Sequence, residues 1–483
     1  MSKSIKLNYF YNAAYNVLTV LTPLITAPYI SRVLQADGIG TASFVASVAE
    51  YFVIFADMGT AACGQRETSY CRDDPAMRSA VFWETFFLRA INTAVAMSAY
   101  LLFIFSFMES YRVIFLIYCI NILTLALNVG WFLSALEEFG KIVFRNLVIR
   151  IAGIIFIFVF VKTRDDLSLY VFGLLFFNLA GTLAMWAYLP AYIRRPDFRC
   201  INPFRNIKTS LSLFLPTVAI QIYTVLDKSM LGFFTESGFE NGYYEQSMKI
   251  SRAVLPLIIS LGGVMIPRIG YLFGKNDRDA ISAYMYRSYN FVWFMAVPLC
   301  FGLAGISDNF VPWFFGPGFG KVAGLLKISS FLLIAIGFNH ATGAQYLIPT
   351  GRQNLYTRAV IAGAAVNFVM NIIMIRLLKS YGAMIASVMA EGLIAVIEMY
   401  MIRRELNIPG ILASGKNYIM AGGIMLAALI FMGGKLEPSA VNTFTMIFTG
   451  AGIYFGVLFA MRDKFFTDYS ATVLRFLRDK IRC

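Results

Sequence analysis

The 483-residue sequence has one histidine, His340, and little charge: Asp, Glu, Lys and Arg together make up 14%. A soluble domain carries about a quarter charged residues. The shortage excludes an ordinary soluble protein, and a lone histidine leaves little for histidine-based catalysis. Acidic residues are scarcer than basic ones, 27 against 41. The six cysteines, Cys63, Cys71, Cys119, Cys200, Cys300 and Cys483, have neither metal-type spacing nor a clustered framework. Most fall in apolar runs or in segments expected to face the cytoplasm, where thiols stay reduced, so no disulfide is expected. A Walker motif is missing, which argues against direct ATP use. A cleaved signal peptide is not evident either: the N-terminus is polar, and the first apolar stretch exceeds an h-region of about 7–15 residues.

What the sequence has in quantity is apolar residues, 59% of the chain, with 16% aromatic. A helical membrane crossing needs about 20 mostly apolar residues. Fourteen such runs can be read: 9–33, 38–60, 80–107, 111–133, 142–161, 168–192, 210–234, 241–272, 282–305, 323–349, 355–377, 381–402, 415–433 and 441–461. The fold class expected is therefore all-α, a polytopic membrane protein with short connections.

The basic residues orient it. With the N-terminus inside, inner segments collect Arg66, Arg72, Arg78, Lys141, Arg145, the run from Arg194 to Lys208, Lys275, Arg278, Arg352, Arg403, Arg404 and a basic tail from Arg462 to Arg482. Outer segments hold only Arg32, Arg112, Lys162, Arg164, Lys321, Arg376, Lys379 and Lys435. The bias is roughly threefold, as the positive-inside rule requires, and places both termini in the cytoplasm. The formal net charge of +14 is thus read as cytoplasmic loops and not as a nucleic-acid surface.

The widest connection, "RRPDFRCINPFRNIK", suggests a division into a six-helix bundle (1–193), a basic cytoplasmic linker (194–209), a second six-helix bundle (210–405), and two extra helices with a tail (406–483). The first helix pair of each bundle looks loosely alike: Pro23, Arg32 and "DGIG" in one, Pro216, Asp227, Lys228 and "ENGYY" in the other. Internal similarity of this kind is the usual trace of a transporter built from repeats.

Ionisable residues inside spans are expensive and point to use or to pairing. Glu50 falls near the centre of the second span, Arg89 in the third, Arg150 in the fifth, Asp227 and Lys228 in the seventh, Lys249 and Arg252 in the eighth, Glu391 in the twelfth. Glu245, Lys249 and Arg252 stand at i, i+4 and i+7, on one mainly cationic helix face. These charges either pair and lock the bundle or line a water-filled cavity that attracts an anion, above all a phosphate or pyrophosphate. The excess of cations favours the cavity, although Arg32 and Lys228 could also snorkel to the outer interface. His340 reads as a satisfied interior histidine. Gly452 and Gly456 fit close helix packing, and Pro23, Pro28, Pro216, Pro256 and Pro267 read as kinks.

Several stretches resemble the bacterial polysaccharide repeat-unit flippases, the O-antigen and capsule exporters of the multidrug/oligosaccharidyl-lipid/polysaccharide superfamily. They are "LTPLITAPYISRVLQADGIGTASFVASVAEYFVIFADMG", "GQRETSYCRDD", "GWFLSALEEFGKIVFRNLVIRI", "YTVLDKSMLGFF", "GYYEQSMKISRAVLPLIISLGGVMIPRIGYLF" and "YLIPTGRQNLY". The chain departs from that family at Gln35 or Ala36, where glycine is common, and at Gly130, where aspartate is common.

The resemblance implies two pseudo-symmetric helical bundles in a V that alternate between inner and outer openings. It implies an undecaprenyl-pyrophosphate-linked oligosaccharide as cargo, carried from the cytoplasmic to the outer leaflet of the bacterial inner membrane. Arg32, Arg89, Arg150, Lys228, Lys249 and Arg252 would then line a cavity for pyrophosphate and sugars, with Pro28 letting the first helix bend. No cofactor is expected. A proton or sodium gradient would drive the cycle, with Glu50, Asp57, Asp227 and Glu391 as candidate coupling or pairing residues. A polysaccharide polymerase and a chain-length regulator are candidate partners. A multidrug antiporter of the same superfamily would want an anionic, aromatic pocket and about twelve spans. A membrane enzyme would need catalytic residues on a sizeable outer loop, yet the largest, about 306–322, carries only Asp308 and Lys321.

Overall fold

The computed structural model describes residues 5–195, 201–235 and 237–467, with backbone alone for 5–21, 215–217, 219, 220 and 222. Cys200, Cys483, Arg199, the end of the basic tail and the side chain of Pro216 lie outside the described residues. Among the described residues every regular element is a helix. In chain order these are α1 (Ile5–Asp57), α2 (Thr60–Tyr70), α3 (Pro75–Phe107), α4 (Arg112–Ile117), α5 (Cys119–Leu127), α6 (Gly130–Ala135), α7 (Phe139–Phe160), α8 (Leu167–Trp186), α9 (Ile207–Phe234) and α10 (Phe239–Ile259). They continue with α11 (Gly262–Gly274), α12 (Arg278–Phe315), α13 (Gly320–Ser329), α14 (Phe331–Asn339), a π-helical segment (His340–Leu347), α15 (Gln353–Leu378), α16 (Ser380–Ile402), α17 (Ile408–Ala413), α18 (Lys416–Gly433) and α19 (Ala440–Ala460).

Local chemistry sets several starts. Asp74 accepts from the amides of Ala76 and Met77 at 2.9 and 3.1 Å, and Pro75 follows as the first helical residue of α3, an arrangement that satisfies otherwise orphaned donors. Asp277, Asn407 and Ser439 cap α12, α17 and α19 in the same way.

Helix α1 has 53 residues, about 80 Å at 1.5 Å per residue, far longer than a hydrocarbon core of about 30 Å. It breaks at Gln35, whose φ is 56° and ψ 179°. The hinge is thus not at Pro28, which sits in continuous helix: proline removes one hydrogen bond but its φ already suits a helix. Gln35 occupies a backbone region essentially reserved for glycine, at one of the two positions where the resembling family often carries glycine.

The chain forms two compact units, 1–245 and 246–483, divided inside α10 between Glu245 and Gln246. This boundary lies after the basic linker that marks the expected division by span count. One core of the first unit joins Phe44, Val48, Tyr100, Ile104, Phe115 and Val171. A second gathers aromatics, Phe82, Trp131 and Phe132, with Trp186 against them. In the second unit α12 packs on α13, α14, α18 and α19, and α15 pairs with α16. Outward surfaces are strongly apolar: Val95, Leu102 and Phe105 on α3, Phe448 and Phe459 on α19 are exposed, as suits side chains that meet lipid. Among the described residues eleven helical segments are long and apolar enough to cross a membrane, or twelve if α10 and α11, bent by 42°, count as one.

Two sequence expectations change. Residues 306–315, expected in an outer loop, are helical: α12 runs to Phe315 and ends only where Gly316 takes a φ of 92°. A Cβ at Gly452 or Gly456 would meet nothing within 4 Å, so neither mediates close packing; on α19 that position is Gly450, where a Cβ would lie 3.3 Å from Leu429.

Candidate functional site

Within the first unit α1, α9 and the start of α10 build a polar cluster around Lys228. Its ammonium lies 2.6 Å from Glu245 Oε2, and Ser43 Oγ donates to the same oxygen at 3.0 Å. Glu50 feels the Lys228 charge, the Tyr51 and Ser229 hydroxyls are 2.7 Å apart, and Tyr244 donates to Asp227. Tyr118 and Tyr170 face Glu245 from two further segments. Two carboxylates, Glu245 and Glu50, therefore share one lysine, while Asp227 is held by Tyr244. The excess of cations counted along the sequence does not hold here, because Glu245 of the α10 face turns to Lys228 and offsets it.

Beside this cluster, α1 touches the α9–α10 turn backbone to backbone. A Cβ on Gly40 would lie 1.7 Å from the Gly238 carbonyl oxygen, and one on Gly242 1.9 Å from the Ala36 carbonyl oxygen. Only glycine permits such an approach. Asp37 ties the same place together, accepting from Gly238 N at 3.0 Å and pairing with Arg164 at 3.0 Å. The two stretches that look like repeats, "DGIG" and "ENGYY", thus meet. A cavity of about 520 Å³ opens next to them, lined among others by Thr41, Phe44, Glu109, Tyr111, Thr235 and Asn241.

Arg89 is only 3% exposed and pairs with Asp57 at 3.1 Å; its Nη1 reaches the Asn128 carbonyl at 3.5 Å. Thr60 also donates to Asp57. The structure joins the anticipated cavity cation Arg89 to the anticipated coupling residue Asp57, as a pin between the end of α1 and α3. Arg150 is half-buried on α7. Arg32 is exposed and folds back to the Pro28 carbonyl at 3.1 Å.

In the second unit, Ser247 and Ser251 of α10 are buried against Ser329 of α13, at 3.1 and 2.8 Å. At about 100° per residue, Lys249 and Arg252 project on the opposite side of α10. Lys249 is half-buried and Arg252 exposed. Glu391 accepts from Asn339 Nδ2, which also reaches the Glu391 carbonyl at 3.1 Å. His340 lies in the π-helical segment with its Nδ1 3.2 Å from Gln345 Nε2.

Sequence reasoning missed two buried carboxylates. Glu84, 2% exposed, takes Arg205 and the amide of Asn202, both at 3.2 Å, and so binds the basic linker to α3. Glu398 is fully buried. The signal for Glu398 was present, since it follows Glu391 at i+7. Nothing local distinguishes Glu84 from a helix-start carboxylate. Among the described residues no three His, Cys, Asp or Glu side chains gather to hold a metal.

The family described as "Polysaccharide biosynthesis protein" matches residues 5–273. A protein of Shigella dysenteriae named "Putative O-antigen transporter" is 21% identical over 403 residues, covering 82% of this chain and 98% of its own. The lipid II flippase MurJ, in an inward closed conformation, superposes with a TM-score of 0.76 at 14% identity, over 95% of this chain and 99% of that one. A multidrug resistance transporter of the MATE family, inward-facing, follows with 0.62 at 13% identity, over 82% and 96%. The two structural likenesses carry the fold.

Proposed function

We propose that this chain, which belongs to the polysaccharide biosynthesis protein family, is a flippase for undecaprenyl-pyrophosphate-linked oligosaccharide repeat units. It carries them from the cytoplasmic to the outer leaflet of the bacterial inner membrane by alternating access, for O-antigen or capsule assembly. The protein is a multi-pass membrane transporter of polysaccharide biosynthesis, with the fold of the lipid II flippase and the multidrug transporter. This cargo is supported by Arg252 with Lys249, cations at helix-face spacing opposite the serine face by which α10 is anchored. A guanidinium there suits a pyrophosphate, which it can hold through two parallel hydrogen bonds.

In this reading the chain crosses the membrane fourteen times, with α1 as two crossings joined at Gln35 and both termini cytoplasmic. The glycine contact between α1 and the α9–α10 turn closes the outer end. Arg32, Arg150 and Lys228 come within reach of the cargo in other states of the cycle, Lys228 once Glu245 releases it. Arg89 acts through its pin on Asp57. A proton or sodium gradient drives the cycle, and a polymerase and chain-length regulator receive the product.

The test is a strain lacking the gene, scored for surface polysaccharide and for the leaflet in which the lipid-linked unit resides. Trapping of the unit on the cytoplasmic side, relieved by the wild-type gene and not by Arg252→Ala, is the expected result. Normal polymer in the deletion strain contradicts it.

A further inference from the structure

Glu398 is fully buried on α16, and neither carboxyl oxygen has a hydrogen-bond partner. An ionised carboxylate left without a donor in a protein interior is strongly disfavoured; a neutral acid is the form such a site holds.

Among the described residues no cation faces it. The carboxyl abuts the π-helical segment: a Cβ on Gly343 would lie 3.0 Å from Glu398 Oε1 and 2.5 Å from the Tyr356 ring. Tyr289 of α12 and Tyr356 of α15 face it, and so does Glu391, about two turns back on α16. Tyr289 has no proton to spare for it. The Thr342 hydroxyl donates to the Phe338 carbonyl at 3.0 Å, so Tyr289, 2.8 Å from Thr342, must donate to that hydroxyl. On the π-helical segment, His340 lies against Gln345, and Tyr346 donates to Glu405. Arg352, at the start of α15, is engaged by Glu405 and Thr350. Asn339 at the end of α14 serves Glu391.

A metal ion is a poor occupant. The described residues offer no third carboxylate, histidine or cysteine to complete a ligand set with Glu391 and Glu398, and the Tyr289 and Thr342 hydroxyls are committed to one another. A proton needs only the one carboxyl. The π-helical segment adds a further pointer, since wide turns of this kind occur frequently at functional sites.

We infer that Glu398 is a proton-binding site of the second unit, taken up and released at the π-helical segment as the transporter cycles. The coupling half of this statement rests on the flippase reading; the proton site does not. A proton bound in one state and released in the other couples a pH gradient to the cargo. One proton per cargo gives about a tenfold accumulation ratio per pH unit.

The test uses the full chain in vesicles of phosphatidylethanolamine and phosphatidylglycerol. Infrared difference spectra across pH should show a protonated carboxylic acid in wild type at neutral pH that is missing from Glu398→Gln. The amide is close in shape to the neutral acid, so the variant should fold with an unchanged melting temperature. With lipid-linked oligosaccharide extracted from the producing strain as probe, Glu398→Gln should keep exchange at equal pH and lose the response to a pH gradient. A wild-type spectrum without the acid band, or a variant that retains it, overturns the proton site. An unchanged gradient response in Glu398→Gln overturns the coupling. A band present in a wild-type protein that moves no lipid-linked unit under any condition overturns the flippase reading and the coupling with it, and supports the proton site.

Discussion

Replacing Gly40 by alanine is the sharpest perturbation the structure offers. Its new Cβ would stand 1.7 Å from the Gly238 carbonyl oxygen, where ordinary contacts begin at 3.4 Å. One of the two backbones must therefore retreat by about 1.7 Å, the difference of those two distances. Backbone cannot rotate away as a side chain can, and the shift also strains the Asp37 bonds to Gly238 and Arg164. Overpacking of this sort costs about 1–3 kcal/mol. Applied to the closed arrangement alone, that is roughly a 5–150-fold shift toward states in which α1 and the α9–α10 turn are apart. Thr41 lines the adjoining cavity and is 2% exposed. In a background without other cysteines, Thr41→Cys should react slowly with a membrane-impermeant maleimide, and at least about fivefold faster once Gly40→Ala is added. Gly242→Ala, whose Cβ meets the Ala36 oxygen at 1.9 Å, should act alike. An unchanged labelling rate in both, with unchanged export, would show that these backbones do not close against each other.

The buried pair Arg89–Asp57 should respond asymmetrically. Asp57→Asn strands a guanidinium that is 3% exposed, and should lower stability by about 3–5 kcal/mol. Arg89→Met leaves the better-exposed Asp57 and should lower it less, and the double variant should recover part of the loss; thermal unfolding in detergent reads all three, and equal losses would contradict a buried pin. Gln35→Gly should stabilise the protein: relief of the strained backbone is of order 1–3 kcal/mol against about 0.5–1 kcal/mol of extra chain entropy, and a lowered melting temperature would refute the assigned bend. Lys228→Met should fail in export more severely than the paired Lys228→Met, Glu245→Gln double variant, because the single change leaves Glu245 without its cation; equal defects in a quantitative export assay would show the pair is not coupled.

Much of the fold is legible in the sequence because lipid demands long apolar helices. Apolar runs found the crossings of α3, α7, α15 and α16. The two compact units could not be placed that way, since their division falls inside a single helix, α10, where no linker or break in the chain marks it. The sequence points to Pro28 for the bend of α1, whereas it sits at Gln35: proline announces itself in sequence, and a non-glycine residue held at positive φ does not. The charged residues were found, but their pairing was not. Arg89 and Asp57 are 32 positions apart, and only the packing of α1 against α3 joins them. Lys228 and Glu245 meet across a helix turn-back that no spacing rule encodes. Glu398 stands seven residues after Glu391, but four residues from the end of α16 it looks solvated until the π-helical segment packs against it.

In the proposed cycle Arg252 holds the anion of a lipid-linked, pyrophosphate-bearing oligosaccharide as it crosses. The most direct measurement is the leaflet distribution of that lipid in vesicles containing the wild-type chain, Arg252→Ala or Arg252→Lys. Transfer by wild type, its loss in the alanine variant and partial return with lysine, which keeps the charge without the bidentate fork, is the expected outcome. Equal transfer by all three, or none by the wild type, would contradict the account.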